Sequence, residues 1–152
     1  MERTWGFSLL EVVTALAVAG LALSLAVPRM EALLRRERVR AATNHFAGDL
    51  EFARMAGVRA GCGAVLRLVP DPRCPQRGGA GYHVALRGSA EVLRASPAQD
   101  GVPVCYEVNA DSIAFDSRGL LAPFNNRTVR AVQGDARDSL TVSVVGRIYR
   151  RF

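Results

Sequence analysis

The chain has 152 residues, a formal net charge of +6 and 49% hydrophobic residues, which fits one long helix with one small head and leaves no room for a second domain. All twenty basic residues are Arg, and the thiol and imidazole metal-ligand candidates are three cysteines and two histidines. No CxxC spacing occurs and His45 and His83 are read as lacking a nearby second ligand, so no metal centre is expected; no cofactor is expected either.

The N-terminus reads MERTWG, with one acid and one base, followed by an apolar run over residues 7–27. At about 1.5 Å per helical residue that run matches the roughly 30 Å hydrocarbon thickness of a bilayer. Glu11 is the one charge in it. A carboxylate in hydrocarbon costs roughly 2.5 to 3.5 kcal/mol on insertion scales, so it must lie near an interface, carry a proton or meet a positive partner. An ordinary secretory signal would use residues 9–19 as its apolar core and be cut near Ala15-Leu16-Ala17 or Ala17-Val18-Ala19. The acid inside the core and the helical pattern that resumes directly after Pro28 argue against it.

Past Pro28, Val39, Ala42, Phe46, Leu50, Ala53 and Gly57 recur at three or four residues, the period of one helical face. The helix is therefore expected to continue to about Arg59, laying Phe46 and Leu50 on a sheet and leaving Arg35, Arg36, Arg38 and Arg40 to solvent or neighbours. From Cys62 onward short alternating runs predict antiparallel strands at residues 64–69, 82–87, 91–95, 102–108, 112–115, 128–132 and 140–149. The breaks at PDPRCPQRGGAG and SPAQDGVP read as loops, and the glycines of Gly61-Cys62-Gly63 and Gly78-Gly79-Ala80-Gly81 read as turns, since neither has the spacing of a phosphate cradle. Asp111, Asp116, Asp135 and Asp138 lie near turns, where Asp commonly bonds the local backbone. Asn126-Arg127-Thr128 matches a glycosylation acceptor pattern that is common by chance. No catalytic constellation stands out, and the chain is read as a non-enzyme.

The three cysteines allow three pairings in an oxidising compartment. The reading leans to Cys74 with Cys105, which would tie a loop to the sheet and leave Cys62 as a spare thiol.

Gly6-Phe7 followed by Ser8-Leu9-Leu10-Glu11, the apolar helix and Pro28 closely resembles the class III signal of type IV pilins and pseudopilins. The resemblance implies that a prepilin peptidase cuts after Gly6 and methylates Phe7, and that Glu11 pairs with the freed amine of Phe7 on a neighbouring subunit. A buried charge becomes tolerable once it meets its opposite. DLEFARMAGVRAG at residues 49–61, IAFDSRGLL at 113–121 and LTVSVVGRIYR at 140–150 resemble the H-type pseudopilin and FimT-like minor pilin branch. The match is loose at residues 62–111. Heads of some pilins bind calcium, but no dense acidic loop occurs here.

The implied organisation is a leader at 1–6, a transmembrane and assembly helix at 7–28 with Glu11 and Pro28 as assembly residues, its continuation at 29–60, and a β-rich head at 61–152. The fold class is α+β, a long helix packed on an antiparallel sheet. The implied function is that of a minor pilin of a type IV pilus, active in competence and DNA uptake during natural transformation; a pseudopilin of a type II secretion system is the alternative, and a membrane-tethered ligand-binding protein a remoter one. The implied partners are other pilins or pseudopilins, the prepilin peptidase, an inner-membrane assembly platform and DNA. The implied location is the inner membrane, single-pass, with the head in the periplasm or on the cell surface. One feature opposes that orientation. Five Arg (29, 35, 36, 38 and 40) follow the apolar run against Arg3 before it, which by the positive-inside rule alone would put the head in the cytoplasm.

The tail GRIYRRF crowds Arg147, Arg150 and Arg151 with Tyr149 and Phe152. FimT-like minor pilins bind DNA through a C-terminal Gly-Arg-x-Arg tail, and the resemblance carries that role to Arg147, Tyr149, Arg150 and Arg151, although Tyr149 stands where the second Arg belongs. An edge strand kept from pairing by its charge explains the same residues without DNA.

Overall fold

A computed structural model describes residues 8–74, 78–96, 103–110 and 112–151, apart from the side chains of Leu25, Ala26 and Arg151. Gly6, Phe7, Asp111 and Phe152 lie outside the described residues, as do parts of both Pro-rich loops. Helix α1 is Leu9–Ala60, followed by β1 Ala64–Pro70, β2 Gly78–Leu86, β3 Val92–Ala95, β4 Cys105–Val108, β5 Ser112–Phe115, β6 Arg127–Gln133, β7 Ala136–Val142 and β8 Ile148–Arg151. Two compact units result, Met1–Leu34 and Arg35–Phe152.

In the first unit α1 carries a stretch of mean hydropathy 2.2 that is long enough to cross a membrane, and none of it is buried. Pro28 lies inside the helix.

The second unit is the head. Its eight-stranded sheet is antiparallel throughout, in the order β5-β1-β2-β4-β6-β7-β8, with β3 paired to β2. Residues 35–60 of α1 lay one face on it. Val39, Phe46, Leu50 and Ala53 are buried among Leu66, Tyr82, Val84, Tyr106, Ile113, Phe115, Val129, Leu140 and Val142, so the three-to-four spacing and the period-two strands point at one core. Its centre is aromatic: Phe46 on α1 meets Tyr82 of β2 edge-on with centroids 4.7 Å apart and Tyr106 of β4 at 5.0 Å. Cys74 is disulfide-bonded to Cys105, fastening the segment after β1 to the start of β4, and Cys62 is a free, exposed thiol. In the chain-entropy account, a loop of this length stabilises the fold by about 3 to 4 kcal/mol.

Two expectations from the sequence are corrected. Gly78-Gly79-Ala80-Gly81 is the first half of β2 and not a turn. The glycines serve close approach there: a Cβ on Gly79 would stand 2.3 Å from the Val69 carbonyl oxygen, at the place where the β1–β2 register shifts. The run 140–149 is two strands, because the chain turns back between β7 and β8 with Gly146 at φ 76°. Val142 and Ile148 then sit opposite each other across the new hairpin.

That turn packs closely against the helix and the Gly119 turn. Arg54 of α1 donates from Nε to the Gly119 carbonyl at 3.1 Å, and a Cβ on Gly146 would come within 2.6 Å of that same carbonyl oxygen and 2.7 Å of Arg54 Nε. The three motifs that carried the family resemblance in the head therefore meet at one point, the Arg of Ala53-Arg54 seated between the two glycine turns.

Candidate functional site

The described residues hold three places where chemistry could reside. In the first unit, Glu11 lies in the first turns of α1 with Val12, Ala15, Leu16 and Ala19 beside it on a shallow, apolar surface. Thr14 donates its hydroxyl to the Glu11 carbonyl at 2.9 Å and Ser24 does the same to Leu21, which leaves each hydroxyl oxygen to a partner only as an acceptor. The neighbouring Leu9, Leu10, Val12, Val13 and Leu16 are all exposed. The Glu11 side chain is thus the charged point of an otherwise apolar surface that is uncovered among the described residues.

The second place is the tail. Strand β8 is a sheet edge, paired to β7 alone, with Tyr149 opposite Thr141 and Arg150 opposite Leu140. Alternation then divides the tail's residues. Arg150 turns inward, where it pairs with Asp138 of β7 and donates to Asn44 Oδ1 of α1. Arg147 and Tyr149 are exposed, and Tyr149 shares its outer row with Thr141 and Thr128, whose hydroxyls are 3.4 Å apart. Of the four residues singled out from the sequence, Arg150 is a tether between strand and helix, Arg147 and Tyr149 are presented to solvent, and the side chain of Arg151 lies outside the described ones.

The third place is a polar cluster that the sequence reading missed. Asp49 on α1 is 1% exposed. Its carboxylate accepts from Tyr82 Oη at 2.7 Å and from Arg94 Nη1 of β3 at 2.7 Å, and His45 Nδ1 lies 3.1 Å from it. His45 Nδ1 is also 3.0 Å from Tyr82 Oη. The phenol's single proton goes to Asp49, so the His45 Nδ1 must bear a hydrogen to bond either oxygen. Arg94 lies over the Phe52 ring at 4.1 Å from its centroid. Burial, then the bond to Asp49, pushes the Tyr82 phenol far above its ordinary range, and burial lifts Tyr106 to about 12. A signal did exist: Asp49 stands beside Leu50 and three residues after Phe46, on the apolar stripe, and an acid there requires buried partners. The expectation that His45 has no nearby second ligand is corrected as well, since His45 and Asp49 are one helical turn apart. Asp49 is already committed to Tyr82 and Arg94, and no group of three metal-binding side chains occurs among the described residues.

Elsewhere the acids serve turns. Asp116 accepts from the backbone N–H of Leu120 and Arg118, which holds its carboxyl below the usual range. Asp71 is held down to about 2 chiefly by its bond to the Arg73 side chain. Asp135 forms an ion pair with Arg35 at 3.4 Å. These contacts hold turns and edges in place.

Compared with known proteins, residues 42–146 match the family model described as Type II transport protein GspH. The chain belongs to the GspH family. The GspH match starts on the head portion of α1 and ends at Gly146, so it contains Asp49, Arg54, Gly119 and all of β1 to β7, and it leaves out both the apolar half of α1 and β8. Two solved structures of the type IV minor pilin FimU from Pseudomonas aeruginosa share the fold. One has TM-score 0.63 and 21% identity over 77% of this chain and 90% of that one. The other has TM-score 0.57 and 21% identity over 74% and 92%. No curated protein sequence matches. The chain is thus a GspH-family protein with the fold seen in FimU, and its N-terminal helix is long and apolar enough to cross a membrane.

Proposed function

We propose that the chain is a low-abundance subunit of a type IV pilus, cut after Gly6 and methylated on Phe7 by a prepilin peptidase, and carried into the filament by its N-terminal helix. The observation that carries this is the bare apolar half of α1, long enough to span a bilayer and unburied throughout. Such a surface is stable only in lipid or against other helices. Glu11 is the feature that makes the second environment specific: in a bundle of like helices its carboxylate can meet the N-terminal amine of a neighbour, and stranding either charge costs several kcal/mol. The head would then face the periplasm or the cell surface, against the positive-inside rule. Expressing Glu11→Ala in the pilus-bearing host tests the reading: the variant should be processed and stay in the membrane while its share in sheared pili falls below detection. Normal incorporation would refute the role of Glu11.

DNA binding is the activity the family resemblance adds, and the tail supports it with exposed Arg147 and Tyr149 on a free edge. Binding would be weak and blind to sequence, because phosphate contacts carry no base information. Duplex DNA titrated at two salt concentrations should bind Arg147→Ala, Arg151→Ala more weakly than wild type, with a salt dependence flatter by roughly 0.9 in logarithmic slope for each phosphate the variant no longer neutralises. Equal affinity would remove the tail as the site.

The GspH description favours a second reading, a pseudopilin of a type II secretion system. Deleting the gene separates the two. Loss of transformation or twitching supports the pilus, and loss of enzyme secretion with both retained supports the secretion machine.

A further inference from the structure

The sequence R-R-E-R-V-R at residues 35–40 puts four Arg and one Glu on the head's share of α1. Arg36, Arg38 and Arg40 are exposed. Arg35 is engaged with Asp135, and Arg40 reaches Glu37 only at 3.9 Å with both side chains more than half exposed, a pair of little strength. For Arg36 and Arg38 no carboxylate lies within ion-pairing distance among the described residues.

Their arrangement around the helix restricts what can neutralise them. Successive residues turn by about 100°, so Arg36 and Arg40 lie within about 40° of one another while Arg38 is about 160° from either. Val39 between them is buried in the head's core. The guanidinium groups thus leave the helix on opposite flanks of the face that packs on the sheet. A duplex or a folded protein approaches from one side and would meet one flank. A headgroup layer surrounds a helix that emerges from it and meets both. Along the chain, Arg36 follows Pro28 by eight residues, about 12 Å of helix, and Arg40 by twelve, about 18 Å. An extended Arg side chain and a Debye length of roughly 8 Å at physiological salt bring these distances within range of phosphates at the bilayer surface.

We propose that Arg36, Arg38 and Arg40 form a binding site for the phosphodiester headgroups of anionic phospholipid, which holds the subunit's head against the membrane until assembly draws it out. Each guanidinium offers a planar fork matched to phosphate oxygens. The same chemistry accounts for the excess of positive charge on the side of the apolar run where the positive-inside rule alone would not place it in a pilin: there it would be neutralised by lipid.

The full chain, purified in a zwitterionic detergent, is exposed to phosphatidylglycerol or to phosphatidylcholine of the same acyl chains, and retained lipid is counted by native mass spectrometry. Wild type should retain phosphatidylglycerol over phosphatidylcholine by about tenfold or more, the preference expected from three basic groups near a surface. Arg36→Gln, Arg38→Gln, Arg40→Gln should lose that preference while keeping the wild-type circular dichroism spectrum. Arg67→Gln, Arg130→Gln, Arg137→Gln, which removes the same charge from exposed positions on the sheet, should keep it. Two further arms use inorganic phosphate and a duplex oligonucleotide as competitors at matched ionic strength, and neither should displace the lipid. Absence of a lipid preference, equal loss in both triple variants, or displacement by either competitor would overturn the proposal, the last by showing a general anion patch in place of a headgroup site.

Discussion

Asp49 is the residue whose burial most constrains the head. Its carboxylate is kept from water by α1 and β2 and neutralised by one cation that comes from the wholly exposed β3. Replacing Arg94 by Met keeps the packing over Phe52 and strands the charge, so Arg94→Met should cost about 3 kcal/mol in chemical denaturation of the full chain in detergent. A loss below about 1 kcal/mol would mean that Tyr82 and His45 suffice. The tyrosines give a pH dependence of determined sign. Tyr82 and Tyr106 have folded values raised above the ordinary 10.0, so the stability they contribute is complete below pH 10 and is lost as pH rises from there. Tyr106→Phe should remove about 2 to 3 kcal/mol of the fall between pH 10 and pH 12, one proton's share over that window. Only the acid on the apolar stripe was legible beforehand; its partners were not, because the cluster joins residues 37 and 45 positions apart in the chain, whereas periodicity reports only the face on which each one lies.

At the scale of the element, helix and strands were readable wherever a period ran unbroken. The stripe from Val39 to Gly57 marked the buried face of α1, and the runs at 64–69, 112–115 and 128–132 mark β1, β5 and β6 to within a residue. The failures came at glycine. Gly78-Gly79-Ala80-Gly81 has no alternation to see, and only the structure shows the close approach of the Val69 carbonyl to Gly79 and of Ser96 Oγ to Gly81. Gly146 sits inside what reads as one long alternating run, and its positive φ divides it. Gly146→Ala should therefore destabilise the head by about 2 to 3 kcal/mol, from the left-handed backbone and from the clash with Gly119 and Arg54, measured as a lowered denaturation midpoint. An unchanged midpoint would mean that the β7–β8 turn relaxes freely. The tail's division of labour follows from the same geometry. Once β8 starts at Ile148, alternation sends Arg150 inward to Asp138 and leaves Tyr149 outside, which the string of basic residues alone could not tell apart.

For the whole molecule, the apolar half of α1 and the head obey different rules. The head is explained by its own core, disulfide and turn contacts. The apolar stretch of the first unit is unburied among the described residues, and the proposed reading covers it with lipid and with other helices. The sequence was most legible here, since an apolar run of bilayer length with one early acid and a following proline is a pattern that needs no tertiary contact to be recognised. The central claim is that this helix is the processed assembly helix of a pilin-like subunit, and intact-mass and N-terminal peptide spectrometry of the protein isolated from its own cell envelope tests it most directly. The account predicts a chain beginning at Phe7 and heavier by one methyl group, with Gly6→Ala leaving MERTWG attached; a chain retaining Met1, or one cut after Ala17 or Ala19, would contradict it.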